Sequence, residues 1–461
     1  MTPGTDTGFS RRSRNSSMRI LMLASNTCVS DARVIKEAEA LAEKGHAVCI
    51  LAHWKPETPG REIRNGVEYR RHALTRRLQR AMSKPMYERA MGEKRASGTL
   101  ALAINQARRA AACAKNLLVN ISSGTGALLL RHARAYTDAG TRWAPDVVHA
   151  HDLPTLLAGV RIARRTGARL IYDSHELEIG RNGNYSRWEK FIRAISERAL
   201  IGQTSSVITV CDSIADFLAG HYGIARPIVV HNAPIAPRVV HDERDHVRSR
   251  LGLSADVPVA VYVGSVTINR GVEQSIEALA ELPDLHLACV GPRNAGTEQR
   301  ARTLAAELGV SARLHFIDPV PHDRVTSFIR SADVSLVLVQ NVCLSYRFCF
   351  PNKLLESLLA GVPVVAARLD ELTRMVKRTG GGLIVDETSP ASIAAGIAEV
   401  VRNREAFAPG AHSIEWLRSH FGWEHQSRKL LDLYERLSTP APKPQGLEEA
   451  ASYLEITHAP Q

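Results

Sequence analysis

The sequence predicts an α/β protein of two doubly wound, Rossmann-like domains facing a central cleft. Three observations carry that expectation. Short apolar runs alternate repeatedly with amphipathic stretches, the alternation breaks once at a proline-bearing stretch, and it then restarts. Strands alternating with helical patterns imply a parallel sheet with helices on both faces.

The elements follow in order. RILMLA, Arg19 to Ala24, reads as a buried strand. Asp31 to Lys44 reads as the helix after it: Val34, Ala38 and Leu41 share one face, and Gly45 stands at the stop position. Ala47 to Ala52, Asp146 to His149, Arg169 to Tyr172 and Ser206 to Val210 read as further strands, with helices rich in Ala, Leu and Arg between them. A long insertion, about 75–142, precedes the strand that starts at Asp146 and reads as helical. HNAPIAPRVVH, His231 to His241, reads as an interdomain linker. Beyond it VPVAVYVG, LHLACVG, ADVSLVLV, VPVVAA and GGLIV read as strands, with helices from Gly271, from about Gly296 and from about Pro351. Ile414 to Leu437 closes the chain as one or two helices. The expected domains are 18–237 and 238–414, with flexible tails at 1–17 and 438–461.

Bulk properties exclude several classes. The chain has 461 residues, 44% hydrophobic and 23% charged, ordinary values for a globular protein of two or three domains. No run of about eighteen apolar residues offers a membrane span. The N-terminus, MTPGTDTGFSRRSRNSS, lacks the apolar centre of a secretory signal, so a cytoplasmic location is expected. Seven cysteines with no Cys-x-x-Cys pair fit reduced thiols. The net charge of +12 is unevenly placed: Arg61 to Ala112 holds thirteen Lys and Arg against four Asp and Glu. Zinc-finger spacing and aromatic-basic motifs are absent from the sequence, so no nucleic-acid partner is expected. An anionic membrane surface or an anionic substrate accounts for the charge better.

Ligands of an open parallel sheet bind at the carboxyl ends of its strands, and three such ends are chemically loaded. In FPNKLLESLLAG, Pro351 suits the first helical position, and Lys353 and Glu356 lie three apart on one face of the helix start. A diphosphate suits that end: free amides and Lys353 supply positive charge, and Glu356 can accept hydrogen bonds from ribose hydroxyls. In YVGSVTINRG a strand runs into a loop with Gly264, Arg270 and Gly271, where small residues admit an anion and Arg270 reaches it. In HAHDLPTL and LIYDSHELE, His149, His151 and Asp152 follow one strand, and Asp173, His175, Glu176 and Glu178 the next. No ligand pair among them has fixed helical spacing, so they read as polar groups facing a cleft, and no metal is expected.

Together these segments resemble glycosyltransferase family 4, the large retaining GT-B family, in its DSHE-containing type. The resemblance runs from about Met18 to Leu437, apart from the insertion. It rests on DARVIKEAEALAEKGHAV, DVVHAHDLPTLLAG, LIYDSHELE, VVHNAP, FPNKLLESLLAGVPVV and TGGGLIV in that order. FGWEHQSRKLLDLYERL is similar to the family's final helix, so residues of about 423–437 are expected to cross back onto the N-terminal domain. The resemblance implies an N-terminal acceptor domain and a C-terminal sugar-nucleotide domain. It implies that Arg270 and Lys353 hold the donor diphosphate beside Gly264 and Asn352, that Glu356 holds ribose, and that His175 stands at the reacting centre. His151, Asp152 and Glu176 are then acceptor or cleft residues. Two positions depart from the family: Phe348 stands where a glutamate approaches the donor sugar, and Ser265 where an arginine follows the strand glycine. NTCVSDAR replaces the family's N-terminal Gly-Gly loop.

The implied reaction moves a sugar from a nucleoside diphosphate, UDP first and GDP second, to a glycan, lipid-linked or small-molecule acceptor. It retains the anomeric configuration by a front-face route and needs neither a metal nor another cofactor. Phe348 and Ser265 keep one alternative open, a catalytically silent subunit that binds nucleotide or supports a partner. Two readings of Arg76, Arg77, Arg80, Lys84 and Arg89 stay open: a solvated helical surface, and peripheral docking of the acceptor-facing half on the inner face of an anionic membrane.

Overall fold

A computed structural model of the protein describes residues 17–29, 31–74, 124–183, 185–234 and 246–438. The apolar runs form two sheets. The first contains β1 (Arg19–Leu23), β2 (Ala47–His53), β3 (Arg61–Arg64), β4 (Val67–His72), β5 (Val147–His151), β6 (Arg169–Ser174), β7 (Ser206–Thr209) and β8 (Ile228–Val229). Its order is β3-β4-β2-β1-β5-β6-β7-β8. The second contains β9 (Val259–Val263), β10 (His286–Val290), β11 (Leu314–Ile317), β12 (Val334–Val337), β13 (Val364–Ala367) and β14 (Gly382–Val385), in the order β11-β10-β9-β12-β13-β14. Strand order therefore reverses between β1 and β5 in one sheet and between β9 and β12 in the other. Those reversals open the crevices where an open parallel sheet takes ligands.

One strand pairing departs from the all-parallel expectation. β3 runs antiparallel to β4 through Asn65 and Gly66, at φ +50 and +78. Two successive residues with positive φ make the tight turn that an Asn-Gly pair favours.

The helices that bear on the cleft are α1 (Ala32–Glu43), α2 (Thr125–Trp143), α3 (Leu153–Thr166), α4 (Asp212–Tyr222), α5 (Val272–Leu279), α6 (Leu344–Arg347), α7 (Asn352–Leu359), α8 (Asp370–Thr379) and α9 (Trp423–Ser438). Asp31 caps α1 by accepting from the Val34 amide. α2 occupies the last part of the expected insertion, yet it is no appendage. Its Tyr136 and Trp143 are buried with Leu21, Val148 and Leu156 in the first domain's core. Residues 75–123 lie outside the described residues, and with them Arg76, Arg77, Arg80, Lys84 and Arg89. In the described part of the basic stretch, Arg61 and Arg70 pair with Glu68, and Arg71 with Glu62. Part of the local charge excess is thus matched at close range.

The last described helices join the two halves. The helix Ala411–Phe421 buries Leu417 in the second domain's core. α9 then returns to the first domain, where Leu430, Leu433 and Tyr434 pack with Ile20, Met22, Ala38 and Leu41. Tyr434 Oη lies 2.9 Å from His149 Nδ1 on β5. A second tie crosses beside the cleft. Glu371 of α8 accepts from the Ser213 amide and hydroxyl at the start of α4, at 2.9 and 2.6 Å.

Leu430 has no exposed surface. Leu430→Ala removes buried methyl groups and leaves a cavity, so it should cost about 2–5 kcal/mol. The midpoint of urea denaturation reads this directly. An unchanged midpoint would contradict the packing of α9 on the first domain.

Candidate active site

The second-domain end of the cleft is built where β9 and β12 stop. After β9 the chain turns through Gly264, at φ +122, and reaches Arg270 and Gly271. Gly271 begins α5 at φ +82, and a Cβ there would lie 2.3 Å from the Leu338 carbonyl oxygen. Only glycine lets this turn press against the end of β12, and that contact fixes where Arg270 leaves the backbone. The Arg270 guanidinium lies 4.5 Å above the Tyr346 ring.

α7 faces the same space. Pro351 takes its N-cap position rather than the first helical position expected for it. Lys353 is 7% exposed, and its Nζ stands 3.8 Å over the Tyr262 ring without a hydrogen-bond partner. Burial, aided by Arg270, pushes the Lys353 ammonium down to about 7. Glu356 is enclosed as well, and burial pushes it up to about 7 although Lys36 and Lys353 pull the other way. A pair that spacing alone would leave on a helix surface is therefore inside. Glu356 and Asn352 line a cavity of about 180 Å³ with Lys36, Asn232 and His322. A larger groove of about 840 Å³ runs between α1 and α9, but surface charges such as Glu43, Lys44 and Arg428 line it and it touches none of the candidate residues.

The first-domain end of the cleft is a buried charge network. β5 and β6 run longer than expected, so His149, His151 and Asp173 lie within strands and Asp152 and His175 just beyond them. Arg33 of α1 grips Asp173 with two hydrogen bonds of 3.0 Å and also donates to the Val230 carbonyl. Its Nε stands 3.2 Å from Glu37. Burial raises the Asp173 carboxyl, but Arg33 and then His175 outweigh it and hold the group well below the usual range. His175 is bracketed: Nε2 lies 3.3 Å from Asp173 and Nδ1 3.6 Å from Asp152. His151 Nδ1 stands 3.2 Å from His175 Nε2. Burial opposes protonation of His175, but Asp152 and Asp173 outweigh it and push the ring up to about 9. At neutral pH His175 is thus an imidazolium, able to donate hydrogen bonds and unable to act as a base. Its side chain is 18% exposed.

Asp152 holds its place at a cost. Its backbone sits at φ +62 and ψ 158, a region nearly reserved for glycine and worth about 1–3 kcal/mol of strain. Glu176 does not join the network. It pairs with Arg181 at 3.1 Å, and its side chain is 43% exposed.

Among the described residues, Glu37, His149, His151 and Asp173 form one group whose potential ligand atoms lie within 4.8 Å of one another. Arg33 already brings a full positive charge to both carboxylates of that group. Glu37 Oε1 and Oε2, His149 Nε2 and His151 Nε2 are buried there without a hydrogen-bond partner. Arg33 and Glu37 are the residues sequence reading missed. Their signal was present: Arg33, Lys36 and Glu37 run at helical spacing beside the apolar face of Val34, Ala38 and Leu41.

The two departures take other work. Phe348 turns toward the first domain, its ring 6.0 Å from Phe217 and its carbonyl accepting from the Cys211 thiol at 3.0 Å. Ser265 offers its carbonyl to Tyr262 Oη at 2.8 Å.

Comparison with known proteins finds two family models along the chain. Residues 32–233 match the family model of a glycosyl transferase 4-like domain, and residues 227–409 that of glycosyl transferases group 1. The D-inositol 3-phosphate glycosyltransferase of Geodermatophilus obscurus is 29% identical over 308 residues, taking in 63% of this chain and 66% of that protein. The chain thus spans just under two thirds of that relative. Sucrose-phosphate synthase from Thermosynechococcus elongatus superposes with a TM-score of 0.68 at 18% identity, covering 91% of this chain and 99% of that one. HepE of Anabaena in complex with UDP-glucose superposes with a TM-score of 0.62 at 14% identity, covering 91% and 100%. At these identities the structural likeness bears on the fold.

Asp152→Asn removes one of the two carboxylates that outweigh burial, so the His175 ring should titrate lower than its parent value of about 9. The folded value stands above the ordinary 6.5, so the imidazolium's contribution to stability is complete below about 6.5 and is lost as pH rises through about 9. Imidazole NMR titration measures the shift. A ring with an ordinary value in the parent, or one unmoved by Asp152→Asn, would contradict the bracketing.

Proposed function

We propose that the chain, whose fold is GT-B, is a glycosyltransferase of family 4 and retains the anomeric configuration of the sugar it transfers. The donor in this reading is a nucleoside diphosphate sugar, UDP first and GDP second, held without a divalent metal. One observation carries it: Lys353 is a buried ammonium with no hydrogen-bond partner, at the N-terminus of α7 and within electrostatic reach of Arg270. A buried cation without an anion is costly, and a diphosphate relieves that cost. The free amides of α7 point at the same anion. The UDP-glucose in HepE supports UDP as the first nucleotide to test.

The chemistry follows from where charge develops. As the glycosyl–oxygen bond lengthens, the sugar becomes oxocarbenium-like and the leaving diphosphate gains negative charge. Arg270, Lys353 and the α7 amides stabilise that charge from fixed positions. Glu356 accepts hydrogen bonds from ribose. His175, held as an imidazolium, donates to a sugar or acceptor oxygen rather than removing its proton. The acceptor proton therefore passes to a diphosphate oxygen on the same face, which preserves the configuration. A silent nucleotide-binding subunit is the second reading, favoured by the packing role of Phe348. Release of UDP from UDP-sugars separates the two.

Lys353→Ala should lower kcat/KM for the donor roughly 30- to 150-fold, the loss of a charge-assisted contact of about 2–3 kcal/mol. Because Lys353 falls to about 7 when unoccupied, UDP binding near pH 8 should take up protons in the parent and fewer in the variant. Calorimetry in two buffers of different ionisation enthalpy reads the difference. Equal kinetics and equal proton uptake would remove α7 from the site.

Chelation tests the charge assignment from the other side. Activity should survive EDTA, since the cations holding the diphosphate are side chains. Full loss with recovery on adding Mn²⁺ would refute the metal-free reading.

A further inference from the structure

Arg270 and Lys353 each stand on a tyrosine ring, but the two rings are anchored differently. Tyr262, under Lys353, belongs to β9, and its hydroxyl bonds to the Ser265 carbonyl of the same domain. Tyr346, under Arg270, belongs to α6, and its hydroxyl accepts a hydrogen bond from Asn182 Nδ2 at 3.0 Å. Asn182 comes from the other domain, in the loop that follows β6 and begins with His175 and Glu176. That loop crosses the cleft in close contact. A Cβ on Gly180 would lie 2.6 Å from Leu344 Cβ and 3.2 Å from the Ser345 amide nitrogen. On its own side the loop is held by Arg181, paired with Glu176 and Glu178, and by Arg193, paired with Glu178.

Tyr346 is thus one side chain, 8% exposed, with a first-domain hydrogen bond at its hydroxyl and a donor-domain cation on its ring face. Separation of the domains removes the bond and leaves the ring held by its packing against Val337, Leu354 and Leu355 alone. Lys353 keeps both the packing and the hydroxyl bond of its platform when the domains part, and Arg270 loses the hydrogen bond that orients its platform. We propose that Asn182 and Tyr346 are positioning residues that couple domain closure to the seating of Arg270, so that Lys353 holds the donor in either state and Arg270 completes the diphosphate clamp on closure. This inference rests on the reading that Arg270 and Lys353 hold the donor diphosphate. It predicts a split. Loss of the Asn182–Tyr346 bond lowers turnover while leaving nucleotide affinity nearly intact, because binding to the open form does not use the bond.

The test uses the full-length protein with UDP-glucose as donor probe, UDP release as turnover and calorimetry for UDP affinity. Tyr346→Phe keeps the ring and removes the hydroxyl, and Asn182→Ala removes its donor. Each should lower kcat about five- to tenfold, the effect of one lost hydrogen bond, with the UDP Kd within about twofold of the parent. The double variant should be no slower than either single, since both break one bond. Arg270→Lys keeps a charge but loses the planar guanidinium that stacks on the ring. In that background Tyr346→Phe and Asn182→Ala should change kcat by less than about twofold, a dependence a merely structural role would not show. Thermal melting checks that every variant is folded. Unchanged kcat in both singles, or equal losses in the parent and Arg270→Lys backgrounds, would overturn the coupling and leave the donor site standing. Parent kinetics in Arg270→Lys itself, or no turnover of UDP- or GDP-sugars by the parent, would overturn the donor reading and the coupling with it.

Discussion

The grip of Arg33 on Asp173 is the interaction on which the rest of the cleft depends. Both groups are buried, and the guanidinium meets both carboxylate oxygens. Removing either partner of such a pair leaves a charge stranded in the interior, at a cost of about 3–5 kcal/mol. The pair also has reach. Arg33 comes from α1, Asp173 from β6, and the third bond of Arg33 goes to Val230, just before the crossing into the second domain. A single guanidinium therefore orients the first helix, the strand that delivers His175, and the start of the interdomain passage. His175 takes its bearing from the oxygen that Arg33 also binds.

The two ends of the cleft handle charge in opposite ways. At the first-domain end Arg33 pairs with Asp173 and Glu37, and His175 stands between Asp173 and Asp152. At the second-domain end two cations converge with aromatic faces beneath them and no carboxylate bound to Lys353. Aromatic rings stabilise a cation without neutralising it, so the positive potential stays available to a ligand. The contrast agrees with the backbone. Glycine at 271 lets the cationic end close tightly, whereas the strained backbone of Asp152 carries a carboxylate 3.6 Å from His175.

Sequence reading reached much of this and stopped for identifiable reasons. The strand–helix alternation was legible because buried parallel strands are apolar throughout and their helices carry one apolar face. The β3–β4 hairpin was not, although Asn65-Gly66 announces it, because its strands are short and mostly polar. His151, Asp152 and His175 could be grouped because adjacent strand ends must converge. Arg33 and Glu37 escaped because a helix face is assigned by its apolar residues, and here charged groups beside that face are buried against partners far along the chain. Burial of Lys353 was likewise invisible, since helical spacing does not say what stands opposite. Phe348 shows the converse: position in a motif suggested the donor pocket, and packing turns the side chain to the neighbouring domain.

α9 has a consequence for how the chain is made. The first domain's apolar core includes Ile20 and Met22 near the start and Leu430, Leu433 and Tyr434 near the end. During synthesis the early strands emerge long before the helix that covers them. Until residue 434 clears the ribosome, that part of the core faces water or a chaperone, while every strand of the second domain has already been made. Vectorial synthesis thus favours completion of the second domain first, although it is encoded second. Emergence of α9 becomes the event that seals the first domain, and a message cut short before it would yield a product whose first domain is unsealed.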